Sequence, residues 1–323
     1  FPPSAEDGVD AVEILRVKSR PPVTGALVLP SGAVSARNAI SLGLLTFLAC
    51  GEGGLQNPNQ PAAPAAATAQ KASPSAVAKA ETPKPLAKGP ATIGVYRPSG
   101  LTFYLRNSHE PGPADITAVF GEKGDLPLVG DWDGNGTVTE GVYRPAESKF
   151  YLSNDHEGKT QLVTAAYGQP GDVPVVGDWD GNGTTTIGVY RPAESVFLLR
   201  NSNDAGEAEA TASFGAKGDL PVVGDWDGNG TWTIGTYRSS TRNFYLRNAA
   251  TAGEPDLTAA FGNEGELPIV GDWDGNGTMP VGSFDPKKAI FRLRNANTAG
   301  DPDLNISFGA AADLPVAGQW VKK

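Results

Sequence analysis

The sequence predicts an all-β repeat protein, and two observations support that prediction. The segment Gly-Asp-Trp-Asp-Gly-Asn-Gly occurs four times, and a shortened copy, Gln319-Trp320, lies in the same register. The first aspartates of the four copies, spaced 47 residues apart, are Asp131, Asp178, Asp225 and Asp272. Each period also holds four short apolar runs between segments rich in Gly, Asn, Asp and Pro. A fixed period of roughly 20 to 50 residues is typical of a repeat architecture.

The apolar runs of one period have the length of strands. In one copy they cover residues 173–179, 187–191, 196–201 and 210–214, and each is too short for a stable helix. The segments between them, such as Asp-Gly-Asn-Gly and Pro-Ala-Glu-Ser, have the composition of hairpin turns. Four antiparallel strands per repeat are typical of one β-propeller blade, although a β-solenoid or a string of separate hairpins shares the period.

The two ends of the repeat array predict that the blades close into a ring. The first copy begins at Thr92 with the second strand of a repeat, and residues 314–320 match the missing first strand. Pairing of these two segments completes five blades and leaves no edge open at the closure. We therefore predict a five-bladed propeller over residues 92–323. The aromatic residues that recur in register and should pack between the blades are Trp132, Trp179, Trp226, Trp273, Trp320, Phe120, Tyr167, Phe214, Phe261 and Phe308.

Composition bounds the class of protein. The chain of 323 residues is 39% apolar, contains 41 Gly and 27 Pro, and has a formal net charge of −10. A loop-rich, acidic β protein fits these values, and the chain lacks the basic surface that nucleic acid requires. The predicted propeller is large enough to bury a core without disulfide bonds.

The N-terminal part of the chain is predicted to be a mostly disordered leader with three segments. Residues 1–33 carry no motif and stay unassigned. Residues 34–50 resemble a signal segment, because Arg37 precedes an apolar run, residues 39–49, that is too short to cross a bilayer. Residues 51–91 form a linker rich in Ala and Pro, which cannot build a core and is expected to act as a tether.

The end of the apolar run carries the chain's only cysteine. The sequence Phe47-Leu-Ala-Cys50-Gly resembles the lipobox of bacterial lipoproteins, with Phe47 in place of the usual leucine. The resemblance implies that Cys50 is lipidated and that the protein is extracellular or held at a bacterial cell surface, in contact with membrane only through the lipid. The alternative is a buried apolar helix with an inert cysteine.

The repeated loop places oxygen-bearing side chains at its first, third and fifth positions, a spacing that suits calcium. The loop and the Phe-Gly pairs ahead of it, such as Phe120-Gly121, resemble the FG-GAP and VCBS-type propeller repeats. This resemblance implies calcium ligands at Asp131, Asp133, Asn135, Asp178, Asp180, Asn182, Asp225, Asp227, Asn229, Asp272, Asp274 and Asn276.

The predicted calcium site is a weak one. No loop has the bidentate glutamate that an EF-hand places at position 12, and position 9, often Asp in FG-GAP loops, is Thr or Pro. Two carboxylates per site favour dissociation constants of roughly 0.1 to 1 mM, the range of extracellular modules. The alternative interpretation is that the loops are only hairpin turns closed by Asp side chains.

No catalytic group is predicted, so we expect a protein that is not an enzyme. His109 and His156 lie in polar loops and are expected to be solvated, and the one cysteine lies in the signal segment. Five-bladed propellers include glycosidases, but those enzymes need carboxylates in different roles, whereas these repeats are nearly alike. A glycosidase remains the second alternative.

Near-identical blades favour multivalent binding or a structural role over one asymmetric active site. The function predicted is binding or adhesion to glycan or protein partners, and the alternative is a structural spacer or an assembly subunit of a surface structure. The residues predicted to bind are Tyr96, Arg97, Tyr143, Arg144, Tyr190, Arg191, Tyr237, Arg238 and Trp232. Each of them is also an ordinary strand-end or packed residue, and the ligand and the oligomeric state are left open.

Overall fold

The computed structural model describes residues 89–158 and 162–321. In these ranges the chain forms twenty strands in five four-stranded antiparallel sheets, with no helix. The prediction of an all-β five-bladed propeller is therefore confirmed. The predictions for residues 1–33 and 34–50, for Cys50 and for all but the last three residues of the linker lie outside the described residues. Among the described residues, no helix has the length and apolar character that crossing a membrane requires.

The strands are numbered in chain order and grouped by blade. Blade 1 contains β20 (Leu314–Gly318), β1 (Thr92–Arg97), β2 (Thr102–Leu105) and β3 (Ile116–Val119). Blade 2 contains β4 (Leu126–Gly130), β5 (Thr139–Arg144), β6 (Lys149–Leu152) and β7 (Val163–Ala166). Blade 3 contains β8 (Val173–Gly177), β9 (Thr186–Arg191), β10 (Val196–Leu199) and β11 (Ala210–Ser213). Blade 4 contains β12 (Leu220–Gly224), β13 (Thr233–Arg238), β14 (Asn243–Leu246) and β15 (Leu257–Ala260). Blade 5 contains β16 (Leu267–Val270), β17 (Val281–Asp285), β18 (Ile290–Leu293) and β19 (Leu304–Ser307).

The ring closes as the repeat register predicts. Strand β20 pairs antiparallel with β1, with Thr92 opposite Gly318 and Tyr96 opposite Leu314. Each inner strand (β20, β4, β8, β12 or β16) contacts the inner strands of both neighbouring blades. The last strand of the chain thus completes the first blade, and the inner strands form a closed ring.

A repeated hydrogen bond fastens each blade to the preceding one. In blade 3, Thr185 N donates to the carbonyl oxygen of Asp131 in blade 2 at 2.7 Å. The equivalent bonds at the other four junctions, 2.7 to 2.9 Å long, join Trp232 to Asp178, Met279 to Asp225, Ala91 to Asp272, and Val138 to Gln319. The aspartates at the loop starts therefore help to join the blades through their main chain as well as shaping the loops through their side chains.

The recurring aromatic residues lie in the core or pack against it, as expected. All five repeat tryptophans are buried. Trp179 lies against Gly177, where an added Cβ would stand only 2.6 Å from the indole ring, so the inner strand must end in glycine. Five of the recurring aromatic residues each precede a glycine. Of these, Tyr167, Phe214 and Phe261 are buried, whereas Phe120 and Phe308 are half-buried and pack against the core.

The propeller has two distinct faces. The proline face is the end at which the inner strands begin, next to Pro127, Pro174, Pro221, Pro268 and Pro315, which surround a cavity of about 170 Å³. The aspartate-loop face is the opposite end, where the Asp-Trp-Asp loops follow the inner strands. Because β1 begins opposite the end of β20, both ends of the described propeller lie at the aspartate-loop face.

Candidate functional site

Each aspartate loop is a turn held by its own polar side chains. In the first loop, Asp131 Oδ1 accepts a hydrogen bond from Asn135 N at 2.9 Å, and Oδ2 accepts one from Gly136 N at 2.7 Å. Asp133 accepts hydrogen bonds from both the main-chain and the side-chain nitrogen of Asn135. Asn135 Oδ1 in turn accepts a hydrogen bond from Thr137 N at 2.8 Å. Such side-chain bonds to nearby N–H groups stabilise turns directly.

The other three loops, which begin at Asp178, Asp225 and Asp272, repeat the bonds to main-chain nitrogens at 2.7 to 3.2 Å. Burial raises the pKa of Asp178, Asp225 and Asp272, and the N–H groups that they accept from oppose the rise. These aspartates are therefore integral parts of the turn, held by main-chain donors in a partly buried setting.

Calcium in such a loop would take two carboxylates, one amide oxygen and one main-chain carbonyl. The carboxylate and amide oxygens of these loops accept hydrogen bonds from the loop's own nitrogens, which accounts for the turn without a cation. In the part of the chain that the structure describes, no three His, Cys, Asp or Glu side chains gather closely enough to hold a metal ion. That finding does not cover a site that also uses an asparagine side-chain oxygen and a main-chain carbonyl oxygen. Calcium binding by the twelve loop residues therefore stays a prediction.

The aspartate loops surround a cavity of about 210 Å³ at the axis of the ring. Its wall is mainly apolar, and it includes one residue per blade that differs from blade to blade: Ala91, Val138, Thr185, Trp232 and Met279. Trp232 is half-buried and lies against Gly177, where an added Cβ would stand 3.0 Å from its ring. The aromatic side chain singled out in the sequence is thus part of the cavity wall and of the contact between blades 3 and 4.

A repeated ion pair lies on the proline face. In blade 2, Arg144 Nε donates to Asp125 Oδ1 at 2.9 Å, and Nη2 donates to Oδ2 at 3.0 Å. The same bidentate geometry joins Arg97 to Asp313, Arg191 to Asp172, and Arg238 to Asp219. The aspartate side chains are at most 2% exposed, whereas the arginines are 16 to 35% exposed. Each pair therefore presents a fixed guanidinium at the surface, anchored by a buried carboxylate.

The tyrosines that precede these arginines lie in the core. Tyr96, Tyr143, Tyr190 and Tyr237 are at most 1% exposed, and each packs on a phenylalanine with ring centres 4.6 to 4.7 Å apart. Burial raises the pKa of Tyr96 and Tyr237 to about 12. These four hydroxyphenyl rings cannot face a ligand, which corrects the prediction of a Tyr-Arg binding pair.

A different tyrosine accompanies the arginine at the surface. The guanidinium of Arg97 lies 4.5 Å from the ring centre of half-buried Tyr104, seven residues further along the chain. Arg144 with Tyr151 and Arg238 with Tyr245 repeat this contact at 4.5 and 4.7 Å. These tyrosines are not among the residues predicted to bind, although their recurrence at multiples of 47 residues is a signal for them. Blade 3 has Leu198 at that position.

The two histidines are more engaged than the sequence predicts. His109 Nε2 lies 2.9 Å from the carbonyl oxygen of Ala91, and its ring meets that of Trp273 edge-on. His156 lies between Glu140 and the carbonyl oxygen of Trp320. Both are half-buried, so the expectation of solvated surface histidines is wrong, because each ring bonds to a carbonyl group at a blade end.

Comparison with known proteins gives no match: no family model, no curated protein and no solved structure matches this chain.

Proposed function

We propose that this protein is a non-catalytic propeller of the extracellular space or the bacterial cell surface that binds a glycan or protein partner at several equivalent positions. The observation that carries the proposal is the Arg–Asp–Tyr group that recurs on the proline face. The three complete groups are Arg97–Asp313–Tyr104, Arg144–Asp125–Tyr151 and Arg238–Asp219–Tyr245. Equivalent groups at a fixed spacing suit a ligand that itself repeats, and we favour a glycan for that reason.

The composition and rigidity of the groups support binding. Tyrosine and arginine are enriched among the residues that dominate binding energy, and rigid side chains lose little entropy on binding. Each guanidinium is fixed twice, by a bidentate aspartate and by the tyrosine ring beneath it. In blade 2, Tyr151 and Arg144 also share a hydrogen-bonding partner in Glu147, which adds an exposed acceptor beside the cation.

The position at which the chain enters the propeller also supports binding at the proline face. The chain enters the propeller at the aspartate-loop face, where Gly89 and Ala91 line the axial cavity. If residues 51–91 tether the propeller to a lipid on Cys50, as the sequence predicts, the attachment lies at the aspartate-loop face and leaves the proline face free for a ligand. The proposed location at a cell surface and the lipoprotein character rest on that predicted leader.

The resemblance to FG-GAP and VCBS-type repeats adds calcium to the proposal. Weak calcium binding at the aspartate loops would stiffen the face opposite the Arg–Asp–Tyr groups in a calcium-rich extracellular medium. Binding of glycan at the proline face does not depend on it.

The test exploits the natural difference between blades. The full chain is screened on a printed panel of neutral and acidic oligosaccharides, and the glycan that binds is titrated by calorimetry. We expect more than one ligand per chain. The triple variant Tyr104→Leu, Tyr151→Leu and Tyr245→Leu gives each blade the residue that blade 3 carries naturally, and it should lose most of the affinity while keeping the fold.

The reciprocal variant, Leu198→Tyr, should add one binding position beside Arg191 and raise the stoichiometry. If the triple variant binds the glycan as tightly as the wild-type protein, the Arg–Asp–Tyr groups of the proline face do not bind it. Absence of binding on the whole panel would overturn the glycan ligand and favour the structural spacer, and turnover of an oligosaccharide would overturn the non-catalytic assignment.

A further inference from the structure

One buried carboxylate breaks the repeat. Glu140 in strand β5 is 1% exposed and occupies the position that Ile93, Ile187, Ile234 and Val281 occupy in the other blades. A carboxylate in an aliphatic position is strongly disfavoured unless a partner compensates for its loss of hydration. Blade 2 therefore must contain a specific partner for this group.

That partner is His156, in the loop between β6 and β7. Its Nδ1 lies 2.7 Å from Glu140 Oε1, and its Nε2 lies 2.9 Å from the carbonyl oxygen of Trp320. Both neighbours are hydrogen-bond acceptors. A neutral imidazole carries a single N–H and can donate to one of them, whereas the imidazolium ion donates to both. The geometry thus selects the protonated ring.

The bond to Trp320 connects two blades. Trp320 follows β20, the strand that closes the ring, and belongs to blade 1, whereas Glu140 and His156 belong to blade 2. Beside it, Val138 N donates to the carbonyl oxygen of Gln319 at 2.9 Å. His156 thus adds a second tie on the segment that ends the propeller.

We propose that Glu140 and His156 form a proton-dependent latch on ring closure, which holds the end of β20 when His156 is protonated and releases the Trp320 carbonyl when it is neutral. On release, Nδ1–H keeps its bond to Glu140, and Nε2 and the carbonyl oxygen are left facing each other as two acceptors. The closing strand then opens more often at high pH than at low pH.

The charged groups around the His156 imidazole also favour its protonated form. Burial lowers the pKa of His156, but the hydrogen bond and charge of Glu140, the Trp320 carbonyl and the charge of Asp155 raise it, and the net effect is a raised pKa. Glu157, the next residue, is exposed. A raised folded-state pKa means that the latch contributes fully below the ordinary value near 6.5, and its contribution is lost as the pH rises through the raised value.

Other blades supply the matched control. At the position of His156, blades 3 and 5 have Asn203 and Asn297, whose side-chain nitrogens donate to carbonyl oxygens of their own blade at 2.9 and 3.4 Å. The double variant Glu140→Ile with His156→Asn gives blade 2 the residues of blade 3. It removes both ionisable side chains without leaving a buried charge.

The test measures amide hydrogen exchange of β20 in the full chain between about pH 6 and pH 9, corrected for intrinsic rates. Loss of a hydrogen bond from a charged donor should lower the protection of Leu314–Gly318 by about tenfold over this range in the wild-type protein. The double variant should show a flat profile. Parallel profiles in the two proteins would overturn the latch.

A second measurement leaves both Glu140 and His156 in place. The chain has two histidines, so a His109→Asn variant leaves a single imidazole signal in the proton NMR spectrum. The latch requires that signal to titrate with a pKa above the ordinary value of about 6.5. A midpoint at or below that value would overturn it.

Discussion

Arg292 in blade 5 donates a hydrogen bond to Glu266, and this pair replaces the Arg–Asp pair that the other four blades have at the same site. Blade 5 has Asp285 where the others have arginine, and Arg292 where three of them have the surface tyrosine. The carboxylate is longer by one methylene, because Glu266 stands in place of aspartate. The cation has thus moved seven residues along the chain, and the ion pair persists.

The altered placement of the ion pair in blade 5 predicts that the stability of this blade depends on Glu266, Asp285 and Arg292 together. Arg292→Tyr alone should destabilise the protein by about 1.5 to 3 kcal/mol, because it removes a charged hydrogen bond from a buried carboxylate. The triple variant Glu266→Asp, Asp285→Arg and Arg292→Tyr restores the pattern of blades 1, 2 and 4 and should recover that loss. Urea unfolding of the full chain measures both, and a triple variant no more stable than the single one would contradict the exchange.

The ring closure could be predicted from the sequence, whereas the surface groups could be predicted only in part. Closure follows from a fixed register, since the strand missing at Thr92 is the one present at Leu314. The arginines were identified correctly as strand-end residues, but β5 is buried on both faces from Thr139 to Tyr143. Only the last residue of the strand, Arg144, reaches the surface.

The partners of the arginines and of His156 could not be predicted for another reason. Asp125 precedes Arg144 by 19 residues and lies beyond a hairpin, and Trp320 is 164 residues from His156. No local pattern reveals such a contact. A buried charge such as Glu140 is nevertheless visible as an exception to its repeat, and a register-by-register comparison would have found it.

Glycine at the end of each inner strand is predicted to be essential for packing. Gly177→Ala would place a methyl group 2.6 Å from the ring of Trp179 and 3.0 Å from Trp232. Because the tryptophan is buried and cannot move freely, we expect a loss of about 1 to 3 kcal/mol, measured by urea unfolding. Gly100→Ala is the control, since Gly100 is exposed and other blades carry larger residues there; equal losses in both variants would refute the packing argument.

The second histidine should respond to pH in the opposite direction to His156. Burial lowers the pKa of His109, although the Ala91 carbonyl and Glu110 oppose the shift. The unfolded chain then binds a proton more readily than the folded one. His109 therefore lowers the free energy of unfolding as the pH falls below about 6.5 and does not change it above that pH. His109→Asn, which copies blades 3 and 5, should raise the melting temperature at about pH 5 relative to wild type and have little effect at about pH 8. A difference that does not vary with pH would exclude this assignment.

Calcium binding at the aspartate loops is the prediction with the clearest alternative. If the loops bind calcium at millimolar affinity, calcium at tenfold its dissociation constant should stabilise the folded state by about 1.4 kcal/mol per site. For a domain of this size, each kcal/mol raises the melting temperature by about 2 to 4 °C. Magnesium at the same concentration should have a smaller effect, because its small shell requires a stricter geometry. Thermal unfolding of the full chain with chelator, calcium or magnesium measures the difference.

The hydrogen bonds of the loops determine which variant tests this without disrupting the turn. Replacement of Asp131 would remove acceptors for two main-chain N–H groups and weaken the loop whether or not calcium binds. Asp133 is exposed, and Asp133→Asn keeps an oxygen for the Asn135 N–H while removing one of the two carboxylates. The acceptor that it loses serves Asn135 Nδ2 in an exposed contact, which contributes little to stability. The variant with asparagine at all four third positions, Asp133, Asp180, Asp227 and Asp274, should therefore keep the wild-type midpoint in chelator and lose the calcium-dependent rise. If wild type shows no rise at several millimolar calcium, the loops are hairpin turns, because a weak site must still add stability in proportion to its occupancy.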